Sequence, residues 1–121
     1  MLVKQWVFLC LVLFAMSSTS YALQGNINSH DPSTLVKDGD RFYQFTTGNG
    51  IYSAYSTDLI SWTSSPRTVF PIGTWPEWIN LAVPGFSGNF WAPDVIQVNG
   101  RWYIYYSCST FGSSRSAIGV A

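Results

Sequence analysis

Two stretches of this chain repeat each other. Gly39-Asp40-Arg41-Phe42-Tyr43-Gln44-Phe45 returns as Asn99-Gly100-Arg101-Trp102-Tyr103-Ile104-Tyr105-Tyr106, with Phe42 and Trp102 sixty residues apart. Each copy follows an Asp beside a Pro, Asp31-Pro32 in the first and Pro93-Asp94 in the second. A turn that opens an aromatic strand, used twice, is the mark of a chain built from similar small sheets. Such a sheet cannot bury both of its faces alone, so the repeat constrains the fold more than any single motif does.

The punctuation between the copies agrees with this. Gly, Pro, Ser and Thr separate short aromatic or β-branched runs, and no stretch has helical periodicity over a useful length. The pattern predicts strands over 33–37, 41–46, 51–56 and 62–64, with turns at Asp38-Gly39-Asp40 and Thr47-Gly48-Asn49-Gly50. Four antiparallel strands in succession make one propeller blade. Residues 65–90 carry Pro66, Pro71, Pro76 and Pro84 and read as a long connection, with a short helical turn near 77–80. Strands resume over 94–98, 101–108 and 116–121. The predicted fold is all-β, with about one and three-quarter blades. That leaves apolar faces uncovered, so the expectation is an N-terminal portion of a longer chain or a truncated product.

The first 22 residues have a different character. Lys4 precedes an apolar run over 6–16, and Ser20-Tyr21-Ala22 fits a small-x-small cleavage site. This three-part pattern predicts a secretory signal peptide over 1–22 and an extracellular mature segment over 23–121. The run is shorter than the ~20 residues a membrane span needs. Cys10 leaves with the signal, so Cys108 has no internal partner and reads as a small buried hydrophobe. The mature segment has five basic and six acidic residues and no basic patch, which argues against nucleic acid or an anionic membrane as partner. His30 is the only histidine, so no His cluster can build a zinc site. Aromatic residues are 17% of the chain and charged residues 10%, a balance that suits stacking on neutral, hydroxyl-rich ligands as well as an aromatic core.

Three clusters could carry chemistry. Asp31, between His30 and Pro32, stands ahead of the first predicted strand, where propeller strands begin beside the central channel. A carboxylate held there could take a proton from water, or Asp-Pro could simply open a turn. In Gly88-Asn89-Phe90-Trp91-Ala92-Pro93-Asp94 the indole could stack on a sugar or pack between blades, and Asp94 could cap backbone N–H groups. Ser107-Cys108-Ser109-Thr110-Phe111-Gly112-Ser113-Ser114 sets one aromatic ring among hydroxyls, as a sugar contact or as an ordinary hairpin.

Taken in order, His30-Asp31-Pro32-Ser33, the Gly-Ile-x-x-x-x-Ser-x-Asp-Leu-x-x-Trp stretch from Gly50 to Trp62, Phe90-Trp91-Ala92-Pro93-Asp94, and Tyr105-Tyr106-Ser107-x-Ser109-x-Phe111-Gly112-Ser113 with Ser116-Ala117-Ile118-Gly119 resemble glycoside hydrolase family 43, and within it the endo-1,5-α-L-arabinanases. The resemblance runs from about residue 27 to 121 and implies a five-bladed β-propeller that cleaves glycosidic bonds with inversion. It implies that Asp31 is the general base, that Trp91 and Phe111 line sugar subsites, and that Gly112 lies close to substrate. The implied substrate is arabinan, the side chain of pectin, or its oligosaccharides.

The same resemblance assigns the general acid to a Glu and the pKa-modulating carboxylate to an Asp-Pro motif, both in later blades, and gives Asp94 no catalytic part. Glu77 is the one glutamate here, and Trp-Pro-Glu-Trp does not match the acid motif. Ser114-Arg115 stands where related arabinanases often carry amide side chains. No cofactor is required by these residues. A structural calcium in the intact propeller is compatible with the family, through a later His. The alternatives are an exo-acting arabinofuranosidase or xylosidase of the same family and a catalytically silent arabinan-binding or truncated fragment.

Overall fold

The structure is a computed structural model and describes residues 20–121, so most of the expected signal peptide lies outside the described residues. The described chain is nearly all β and forms two sheets. The first contains β1 (Gln24–Gly25), β2 (Val36–Asp38), β3 (Arg41–Thr46), β5 (Tyr52–Ser56) and β6 (Ser61–Ser64), in the order β1-β6-β5-β3-β2. The second contains β4 (Gly48–Asn49), β7 (Asn89–Val98), β8 (Arg101–Ser109) and β9 (Ser116–Val120), in the order β4-β7-β8-β9. These are the first two blades of the propeller, and the repeat in the sequence falls on equivalent hairpins. Asp38 pairs with Arg41 around Gly39-Asp40, and Val98 pairs with Arg101 around Asn99-Gly100. Asn99 and Gly100 both have positive φ, 50° and 77°, which a type I′ turn demands and Asn-Gly supplies.

Four features depart from the expected elements. β2 begins at Val36, because beside the inner end of β3 the Ser33 N–H bonds the Phe45 carbonyl at 2.8 Å while the Phe45 N–H turns to the Ser33 hydroxyl at 3.0 Å, so the backbone ladder is not continued. Gln24–Gly25 adds a fifth strand, parallel to β6, with the Gln24 N–H on the Ile60 carbonyl and the Asn26 N–H on the Trp62 carbonyl. The expected turn at 47–50 instead crosses to the other sheet, where Gly48 pairs with Phe90 and Asn49 with Asn89. β7 starts at Asn89 rather than at 94, because the strand continues through a bulge between Trp91 and Asp94.

The proline-rich connection holds α1 (Trp78–Ala82), close to the expected helical turn. It supplies much of the core. Ile79, Val83 and Phe86 from this segment are buried with Ile51, Phe90, Val95, Ile104, Tyr106 and Cys108. Phe70 stacks on Phe90 with centroids 4.9 Å apart, and Tyr106 and Phe86 meet the same ring edge-on. Prolines rule out a long helix here, but they leave the apolar side chains free to cover one face of the second sheet. Cys108 is fully buried as expected, and burial raises its thiol pKa. Between the sheets lies an apolar cavity of about 370 Å³, lined in part by Val36, Phe45, Val69, Val95 and Ile104.

Candidate active site

Asp31 adopts a left-handed backbone with φ 47°, uncommon for a residue with a Cβ. Pro32 follows it, and the Thr47 N–H bonds the His30 carbonyl at 3.0 Å, which pins the segment against the end of β3. The Asp31 carboxylate is partly open, with 41% of the side chain exposed. Its Oδ2 accepts a hydrogen bond from the Thr47 hydroxyl at 2.8 Å, and the His30 Nε2 lies 3.6 Å from the same oxygen.

The second sheet reaches this corner through its bulge. Three residues of β7, ending at Asp94, span what two residues of β8 span, and Ala92 takes a positive φ of 43° to fit the extra residue. The Ala92 N–H donates to the Thr47 hydroxyl oxygen at 2.8 Å. Two residues on, Asp94 Oδ1 accepts the Thr34 N–H at 2.9 Å. That bond, from the backbone of the first blade, holds the Asp94 carboxyl below its ordinary pKa. Asp94 is thus a clamp between blades, the capping alternative read from its place in the sequence.

The bulge also sets Trp91. Its ring meets Phe111 at 4.7 Å between centroids with planes 72° apart. Phe111 is 73% exposed on the loop between β8 and β9, and the Trp91 Nε1 is buried without an acceptor among the described residues. Gly112 follows at φ 75° with open space around it. Asp31, Thr47, Ala92, Trp91 and Phe111 therefore form one chain of contacts across the two blades. Gly112 follows Phe111 directly at the end of that chain. Thr47 was not singled out by sequence reasoning. Its one signal there was a hydroxyl placed directly after an aromatic strand.

A carboxylate with a free oxygen, beside an edge-to-face aromatic pair with one ring open to solvent, can accept a proton and can pack against the apolar face of a sugar. Among the described residues no three His, Cys, Asp or Glu side chains are grouped to hold a metal ion. No helix there is long and apolar enough to cross a membrane.

The model of the glycosyl hydrolases family 43 matches residues 25–121. The chain is 44% identical over 94 residues to an extracellular exo-α-(1→5)-L-arabinofuranosidase of Cellvibrio japonicus, covering 78% of this chain and 26% of that protein. It is 39% identical over 98 residues to an extracellular endo-α-(1→5)-L-arabinanase of Bacillus subtilis, covering 76% of this chain and 28% of that protein. Among solved structures it superposes on a family 43 endo-arabinanase from Bacillus licheniformis with a TM-score of 0.73 and 38% identity, covering 84% of this chain and 34% of the other. The chain thus spans between about a quarter and a third of the length of these proteins.

Proposed function

Because the chain belongs to glycosyl hydrolases family 43, we propose that the polypeptide carrying it is a secreted, arabinan-degrading glycosidase that hydrolyses internal α-1,5-arabinofuranosidic bonds with inversion. The observation that carries this reading is the Asp31 carboxylate, fixed on one oxygen and open on the other, joined through Thr47 and Ala92 to the Trp91–Phe111 pair. In this reading Asp31 draws a proton from the attacking water, and the aromatic pair orients the sugar. Gly112 leaves room for the substrate beside Phe111.

Inversion needs a second carboxyl, the acid, ~6.5–9.5 Å from the base, so that a water fits between base and sugar. Glu77, at the N-terminal end of α1, is not given that task, because its Trp-Pro-Glu-Trp setting does not match the acid motif that the family resemblance implies. The acid is assigned to residues outside these 121. Export is supported by the apolar run and cleavage pattern over 1–22 and by the extracellular relatives. The partner is a neutral polysaccharide.

The test is hydrolysis of linear α-1,5-arabinan by the purified protein, with product analysis. Oligosaccharides as first products support internal cleavage. Arabinose alone would assign the exo action suggested by the likeness to the Cellvibrio arabinofuranosidase. Asp31→Ala is expected to lower turnover by ~10²–10⁴-fold or more while arabino-oligosaccharide binding persists. Unimpaired hydrolysis by that variant would remove Asp31 from the role of base.

A further inference from the structure

Resting on the reading of Asp31 as the base, we propose that Thr47 is a positioning residue that decides which oxygen of Asp31 receives the proton. A hydroxyl can both donate and accept, so its direction must be set by its neighbours. At Thr47 the choice is closed. The Ala92 backbone N–H, 2.8 Å away, can only donate, so it occupies a lone pair of Oγ1. The Thr47 proton is then committed to Asp31 Oδ2, also at 2.8 Å. Oδ2 is thereby engaged, with His30 on the same side, and Oδ1 keeps its lone pairs for a water molecule.

The three residues on this relay come from three places: the loop before β2, the end of β3, and the bulge of β7. Asp31 and Ala92 both hold positive φ, 47° and 43°, at the two ends of the relay. Each costs backbone free energy, and such outliers persist where the surroundings over-determine them. The hydroxyl between them lets the second blade fix a carboxylate that the first blade carries. A base that must meet a water in line with the sugar is sensitive to a misplacement of about 1 Å.

The experiment compares Thr47→Val, which keeps the shape and loses the hydroxyl, with Thr47→Ser, which keeps the hydroxyl. On linear arabinan, Thr47→Val is expected to lower kcat by up to ~10²-fold with KM nearly unchanged, and Thr47→Ser to restore most of it. In the Asp31→Ala background Thr47→Val should be silent, because a residue acting through Asp31 has nothing left to orient. An equal loss in both backgrounds, a rise in KM alone, or wild-type kcat in Thr47→Val would overturn the proposal.

A crystal structure of Thr47→Val gives a readout independent of turnover. The carboxylate of Asp31 should leave its wild-type rotamer, and an unmoved carboxylate counts against Thr47 even if no arabinan is cleaved. Absence of hydrolysis by the wild type would instead strike the functional reading. If Thr47→Val does not fold, Thr47→Ala carries the same comparison.

Discussion

At the scale of single residues, the acidic side chains divide by what their oxygens bind. Asp58 is the turn-holder: one oxygen accepts the Ile60 and Ser61 N–H groups at 2.8 and 2.7 Å and the Ser56 hydroxyl at 2.9 Å. Those bonds, the Ser61 N–H foremost, favour the ionised form and bring its pKa from 3.8 down to about 2. A group depressed in the folded state contributes stability above its unfolded pKa, and that contribution is lost as pH falls through the folded one. The Asp58 contribution should therefore be complete above about pH 4 and gone below about pH 2. Thermal melts of Asp58→Asn across that window should show a flatter fall than wild type, and parallel curves would disprove it. Asp94 follows the same sign, through the Thr34 N–H of the other blade. Asp31 differs from both in its donor: its Oδ2 takes the side-chain hydroxyl of Thr47, whereas Asp58 and Asp94 take backbone N–H groups and so hold a turn and a blade contact.

At the scale of elements, the second hairpin and the β7 bulge show opposite relations between sequence and structure. Asn99-Gly100 specifies its turn locally. Space around Gly100 is open, so substitution there meets only the backbone penalty of its 77° φ. Gly100→Val should destabilise by about 1–2 kcal/mol, read as a shift in the urea midpoint, and a neutral result would show that the turn can change type. β8 also follows its pattern, with Ile104, Tyr106 and Cys108 buried on alternate positions and Tyr105 exposed between two of them. β7 breaks that parity. Phe90 and Val95 both face the core although five positions separate them, and the extra residue at the bulge absorbs the mismatch. Strict alternation from Val95 would turn Trp91 inward. The bulge turns it to Phe111, so the irregularity in the strand creates the aromatic pair.

At the scale of the whole molecule, Phe90 is the point where the parts meet. Phe70 and Phe86 reach it from the connection and Tyr106 from β8, and Gly48 of the crossing segment pairs with it. Phe90→Ala should cost about 3–5 kcal/mol in denaturant unfolding, because the rings of Phe70, Phe86 and Tyr106 lose a shared neighbour at once. A cost below 1 kcal/mol would mean that the second sheet and the connection do not share one core. Much of this architecture was legible in the chain itself. Turn residues, strand alternation and the sixty-residue repeat are local signals, and they specified the hairpins, the all-β class and the two similar sheets. The Asp-Pro, Trp-Ala-Pro-Asp and Phe-Gly motifs likewise mark Asp31, Trp91, Phe111 and Gly112 as candidate site residues. Tertiary structure alone decided the crossing of residues 48–49 into the second sheet, the burial of the proline-rich connection, and the meeting of Asp31, Thr47 and Ala92. Each of those depends on pairings between distant segments. Hydrogen bonds from residue 92 to 47 and from 47 to 31 satisfy polar groups whose partners no local pattern names, so only the packed blades could select them.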